Sequence, residues 1–199
     1  RNWLLRRPPG RLPAPFGRFD SVCVVLGGAS LALWVADPAD TATGAVLIAA
    51  AILNTVRLAR WAGERTAADR LVLILHAGYA FVPLGFLLAG LAAFDVTAPS
   101  AGIHAWTVGA IGIMTLAVMS RASLGHTGRA LVATPALEMI YALAVVAAVA
   151  RVCATLHPEW NGVLLHLAAF TWAAAFLGFA GLYAPLLCRP KWPAVRSRK

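Results

Sequence analysis

Charge is what this sequence has least of: 13% of its 199 residues are charged, and only 8 of those are acids. A soluble domain carries about a quarter charged residues. With 60% hydrophobic residues and a mean hydropathy of +0.75, the chain could not sit in water without large exposed apolar patches. Cysteine is scarce too. Cys23, Cys153 and Cys188 lie far apart with no C-x-x-C spacing, which excludes a disulfide framework or a zinc cluster and leaves small buried apolar residues. A Walker-type phosphate loop, a G-x-S-x-G elbow and an H-E-x-x-H helix are all missing, and with them the common soluble catalytic classes. There is no initiator Met. The basic, Pro-rich stretch 1–18 is followed by an apolar run without a clear cleavage site and does not read as a signal peptide. It is expected to be an inter-helix loop within a longer protein.

What is present is a series of apolar runs, each near the ~20 residues that cross ~30 Å of hydrocarbon. They predict an all-α, polytopic transmembrane helix bundle with six spans: Phe19–Ala36, Thr43–Leu58, Leu71–Phe94, Ala101–Ser120, Pro135–Leu156 and Asn161–Cys188. The bundle then occupies residues 19–188, between a basic segment 1–18 and a basic tail 189–199. Of the 17 lysines and arginines, all but Arg151 fall at one end of these spans. Positive residues are retained on the cytoplasmic side, so both chain ends are expected in the cytoplasm of a bacterial inner-membrane protein. The formal charge of +9 is then topology and lipid contact, not nucleic-acid binding. Gly27, Gly28, Gly85, Gly90, Gly109, Gly112, Gly178 and Gly181 supply close-approach points between helices. Pro83 is expected to kink the third span.

Ionisable groups within the spans are the functional candidates. His76 sits near the arginine-rich end of the third span, with Tyr79 and Pro83 on its face. His104 sits near the opposite end of the fourth, with Thr107, Ile111 and Thr115 continuing a stripe expected to face the bundle. At ~1.5 Å per residue the two histidines lie ~15 to 20 Å apart along the normal, too far for one metal with ~2 Å bonds. His166 and His157 match the depth of His104, and His126 is the expected neighbour of His76. Such pairs suit a haem or an imidazole-bound copper, although a hydrogen bond to a neighbouring helix or a place in the wet interface is the commoner role of a membrane histidine. Glu138, in the first turn of the fifth span, suits the helix dipole. The segment Arg121-Ala122-Ser123-Leu124-Gly125-His126-Thr127-Gly128-Arg129 is either an anion-binding, glycine-rich loop or an ordinary positive loop on anionic headgroups.

The run His104-Ala105-Trp106-Thr107-Val108-Gly109-Ala110-Ile111-Gly112, continued through Met114 and Met119 to Arg129, resembles the signature of the NnrS family. The stretch from Leu75-His76 through Pro83-Leu84-Gly85 to Gly90-Leu91 is similar to the same family's pattern. That resemblance implies a bacterial haem- and copper-containing membrane protein of denitrification, nitric oxide response and nitrosative-stress tolerance. It implies His76, His104, His126, Arg121 and Arg129 as cofactor-binding positions, His76 and His104 as metal ligands, and nitric oxide or iron-nitrosyl species as partners. Family proteins are about twice as long, so a companion N-terminal half is also expected. The competing reading is a transporter or assembly factor for a metal, a metal complex or a small solute.

Overall fold

The computed structural model describes residues 10–188, and among them there are six long helices and no strand. They are α1 (Arg18–Ala36), α2 (Thr41–Ala59), α3 (Arg70–Ala92), α4 (Ser100–His126), α5 (Pro135–Leu156) and α6 (Asn161–Cys188). All six are long and apolar enough to cross a membrane. The basic tail 189–199 lies outside the described residues.

Local chemistry sets the helix ends. Asp40 caps α2 by accepting the Thr43 N–H at 2.9 Å, which holds its carboxyl below the usual carboxylate range. Asp69 accepts from Leu71 and Val72 at the start of α3, and Thr134 caps α5 ahead of Pro135, the residue whose missing N–H costs nothing at N1. Glu138 sits in the first turn of α5, as expected, and its charged partner is Arg70 at 3.8 Å.

Two apolar clusters hold the bundle. The larger joins α3, α4, α5 and α6 through Leu71, Ile74, Phe81, Ile113, Leu137, Ile140 and Phe179, and the smaller joins α2 to α3 through Leu47, Ala50, Phe86 and Ala89. Lipid gives helices no hydrophobic drive to associate, so close backbone approach has to supply the packing. Along α3 and α4 the pairing is antiparallel and regular: Gly78 against Ile113 and Met114, Phe81 against Gly109, Gly85 against Trp106, and Ala89 against Gly102. A Cβ on Gly102 would stand 2.8 Å from the Ala89 nitrogen and from the Gly85 carbonyl oxygen. Gly44 and Gly90 make the equivalent contact between α2 and α3. Trp106 Nε1 donates to the Val82 carbonyl at 3.1 Å, next to Pro83, which lies inside α3.

The structure departs from expectation in two places on α4. Residues Ala105–Gly112 form a π-helix, a wide turn that is rare and concentrated at functional sites. The small residues Gly102, Ala105, Gly109 and Gly112 take the buried side of this helix, so the stripe of Thr107, Ile111 and Thr115 faces outward, not into this bundle. Close packing of α4 on α3 decides the rotation, because only the glycine face lets the backbones approach.

Replacing Gly102 by Ala overpacks a backbone-to-backbone contact and is expected to lower stability by about 1–3 kcal/mol. Gly181→Ala, with nothing within 4 Å of the added carbon, is expected to leave the melting temperature unchanged. Thermal unfolding of the two variants in detergent tests the difference.

Candidate functional site

The arginine-rich end of α1, α2 and α3 holds a polar network that the pattern of histidines does not reveal. Asp20, 4% exposed, accepts the Gly17 N–H at 3.1 Å and the Arg57 Nε–H at 3.1 Å. Arg57 Nη1 donates to the Tyr79 hydroxyl at 3.1 Å, and that hydroxyl donates to Asn54 Oδ1 at 2.6 Å. Asn54 closes the chain by donating to the Ala50 carbonyl at 2.9 Å. Three helices are thus tied by hydrogen bonds near their arginine-rich ends. The sequence signal was a polar set in apolar runs, Asp20 in the first span and Asn54 with Arg57 three residues later in the second.

The network continues into the setting of His76. The Arg57 guanidinium lies over the Trp61 ring at 5.3 Å from its centroid, a cation–π contact. Trp61 packs on Tyr79 at 4.5 Å and meets the His76 ring edge-on at 6.1 Å. The chain turns sharply here, with Ala62 fully buried in the left-handed region at φ 53°, a conformation a non-glycine residue adopts at a cost. Gly63 follows, and a Cβ on it would meet His76 Cδ2 at 2.8 Å. Only glycine lets the turn lie flat on the imidazole.

His76 itself has one nitrogen engaged and one bare. Its Nδ1 lies 3.0 Å from the Val72 carbonyl, a contact that requires the proton on Nδ1. In the neutral ring Nε2 then carries the lone pair, and it is buried with no hydrogen-bond partner among the described residues. A histidine that gives its Nδ1–H to a backbone carbonyl and presents Nε2 is the arrangement metal ligands use.

The other sequence candidates are spread along the bundle. By the α3–α4 pairing His104 is level with Leu87, eleven residues beyond His76, or roughly 16 Å at 1.5 Å per residue. Its ring makes no hydrogen bond among the described residues, and Arg151 on α5 stands within electrostatic range. His126 lies eleven residues past Thr115, the residue level with His76, so it falls roughly 16 Å further toward the arginine-rich end. Gly112 packs on Trp172, which brings His166 close to the level of His104, but His166 is exposed, with Nδ1 2.7 Å from the Gly162 carbonyl. His157 pairs with Glu159 at 3.2 Å.

The Arg121–Arg129 segment is mostly not a loop. α4 runs through His126, six residues past the predicted end at Ser120, and the amides of 121–126 belong to the helix. It ends in a Schellman motif: Gly128, at φ 70°, donates to the Gly125 carbonyl at 3.2 Å and Arg129 to Leu124 at 3.0 Å. The glycine at 128 serves the left-handed cap. No anion-cradling row of amides is left in Arg121–His126, and Arg121 and Arg129 extend from a helix end instead.

Among the described residues no three His, Cys, Asp or Glu side chains converge as a metal cluster. What the fold and site define is a multi-pass membrane protein with a polar network inside its helices and a poised imidazole beside it. The NnrS protein family model matches residues 1–191, and the chain belongs to the NnrS family. No curated protein and no solved structure matches the chain.

Tyr79→Phe removes the hydroxyl that links Arg57 to Asn54 and leaves both buried groups short of a partner. It is expected to cost about 1–3 kcal/mol, read as a lowered midpoint of thermal unfolding. The same substitution at Tyr183, which makes no hydrogen bond in this network, is expected to cost less.

Proposed function

We propose that the chain is part of an integral membrane haem/copper protein of the nitric oxide response, in which His76 and His104 are ligands. The observation that carries this reading is the bare, buried Nε2 of His76 with its Nδ1 fixed on the Val72 carbonyl. Family membership supports it. The residues present fit one nitrogen donor at each of two depths, not a complete protein-built copper centre, so further ligands come from outside this chain, in this reading from a companion N-terminal half. Haem iron, when bound, supplies the atom that takes nitric oxide. This chain's part is to hold the donor: Trp61 and Gly63 pack on the ring of His76, and Tyr79 with the Asp20-paired Arg57 holds Trp61.

Arg121, Arg129 and His126 extend the arginine-rich end, which this reading places in the bacterial cytoplasm by the retention of positive charge. There the two arginines are available to carboxylates of a bound group or to anionic headgroups. Roles in denitrification and nitrosative-stress tolerance belong to the same proposal.

Purified full-length protein is expected to show a haem absorption spectrum that shifts with nitric oxide. His76→Ala and His104→Ala are each expected to lower bound haem or metal at least tenfold, and His157→Ala to leave it unchanged. Equal cofactor content in wild type and the His76→Ala/His104→Ala double variant would sink the ligand assignment. Solute flux in liposomes that His104→Ala abolishes, in a protein without cofactor, would replace it with a transporter.

A further inference from the structure

Arg151 is a cation without an answer. It is the one basic residue at the end of the bundle remote from all other arginines and lysines. It lies five residues before the end of α5, roughly 8 Å below the helix terminus. Among the described residues it makes no ion pair and no hydrogen bond. The acid nearest in sequence, Glu159, is engaged by His157 at 3.2 Å. A guanidinium held partly out of water calls for an anion.

The space beside it has the shape of an answer. Arg151 lines a groove of 320 Å³ between α4, α5 and α6, whose other walls are Thr107 and Val108, then Leu165, Ala168, Ala169 and Trp172. The Thr107 hydroxyl is already spent on the Ile103 carbonyl at 2.8 Å, so Arg151 is the group left to grip a polar head. The α6 wall runs from Leu165 to Trp172, the latter roughly 16 Å along from Asn161. The groove thus has its charge near the helix ends and its apolar wall deeper in. Exposed Trp160, stacked on His157 in the α5–α6 turn, marks the level of the headgroups. A long side chain at the depth of Arg151 reaches that level by extending along the apolar surface.

We propose that this groove binds a phospholipid of the leaflet at the α5–α6 turn, with Arg151 holding the phosphate and an acyl chain lying along Leu165, Ala168, Ala169 and Trp172. The forked guanidinium donates two N–H groups to two phosphate oxygens. An anionic phosphatidylglycerol is bound more tightly than a phosphatidylethanolamine, whose ammonium opposes the guanidinium. The lipid covers the Arg151 side of α5 and fills the groove between α4 and α6. The site stands apart from the ligand assignment of His76 and does not depend on it.

Native mass spectrometry of the full chain, released from nanodiscs containing phosphatidylglycerol or phosphatidylethanolamine, reads the bound lipid directly. Wild type is expected to retain one phospholipid that Arg151→Gln loses, with occupancy falling about tenfold as a charged hydrogen-bonded contact is removed. Arg151→Lys is expected to keep part of it. Ala169→Phe, which fills the groove from an exposed position without touching the charge, is expected to expel the lipid even if Arg151→Gln fails to fold. Equal lipid retention in wild type, Arg151→Gln and Ala169→Phe overturns the proposal. So does loss of a non-lipid carboxylate ligand in its place, or a photo-crosslink from position 169 to another polypeptide.

Discussion

A carboxylate and a guanidinium placed within apolar helices destabilise the bundle unless each is answered, and the contact of Asp20 with Arg57 is the answer on which the arginine-rich half depends. Asp20 spends one oxygen on its own helix, through the Gly17 N–H, and the other on Arg57. Arg57 spends its remaining reach on Tyr79, so one ion pair fixes the rotation of α1, α2 and α3 about their axes together. In lipid the fixing matters more than the energy. Replacing a buried pair by apolar residues is often neutral, but removing one member strands the other. The pair therefore acts as a register device: an α2 turned by one residue would leave Asp20 and Tyr79 both unanswered.

From that register follows the setting of His76. Trp61 lies one turn beyond Arg57 and is pinned under its guanidinium, and the turn at Ala62 and Gly63 can then close on the imidazole. The left-handed Ala62 is tolerated because the residues on either side are already fixed. A second device works at the opposite end, where small residues draw α4 onto α3 and so leave the polar stripe facing outward. The two ends are thus built on different principles. One is held by hydrogen bonds between polar side chains, the other by backbone contact between glycines.

The spans were legible because crossing a bilayer imposes length and hydropathy on every helix, and five of the six spans agree with the sequence reading to within two residues at both ends. The fourth was misjudged at Ser120 because Arg121, Ser123 and His126 look like a connector, although a helix leaving the membrane tolerates them and continues until Gly128 stops it. His76 was legible as an intramembrane ionisable group. Its bare Nε2 was not, since that depends on the Val72 carbonyl within its own helix and on a turn about a dozen residues upstream. Asn54 and Asp20 escaped notice for a related reason: each is a common polar residue alone, and only the packing of three helices makes them one network.

The two intramembrane arginines sharpen the point about charge. Arg57 and Arg151 have the same chemistry, and each stands a short way inside the end of its helix. The first meets a carboxylate, a phenol and an indole within its own bundle and is buried by them. The second meets a hydroxyl already committed to its own helix and a wall of small and apolar side chains. Positive charge at the arginine-rich end follows from topology, since that face gathers it anyway. A lone arginine at the opposite end runs against that rule, and among the described residues no acid pairs with it. Its persistence there needs a reason of its own, and a lipid phosphate at the headgroup level that Trp160 marks supplies the complementary charge that the described residues do not.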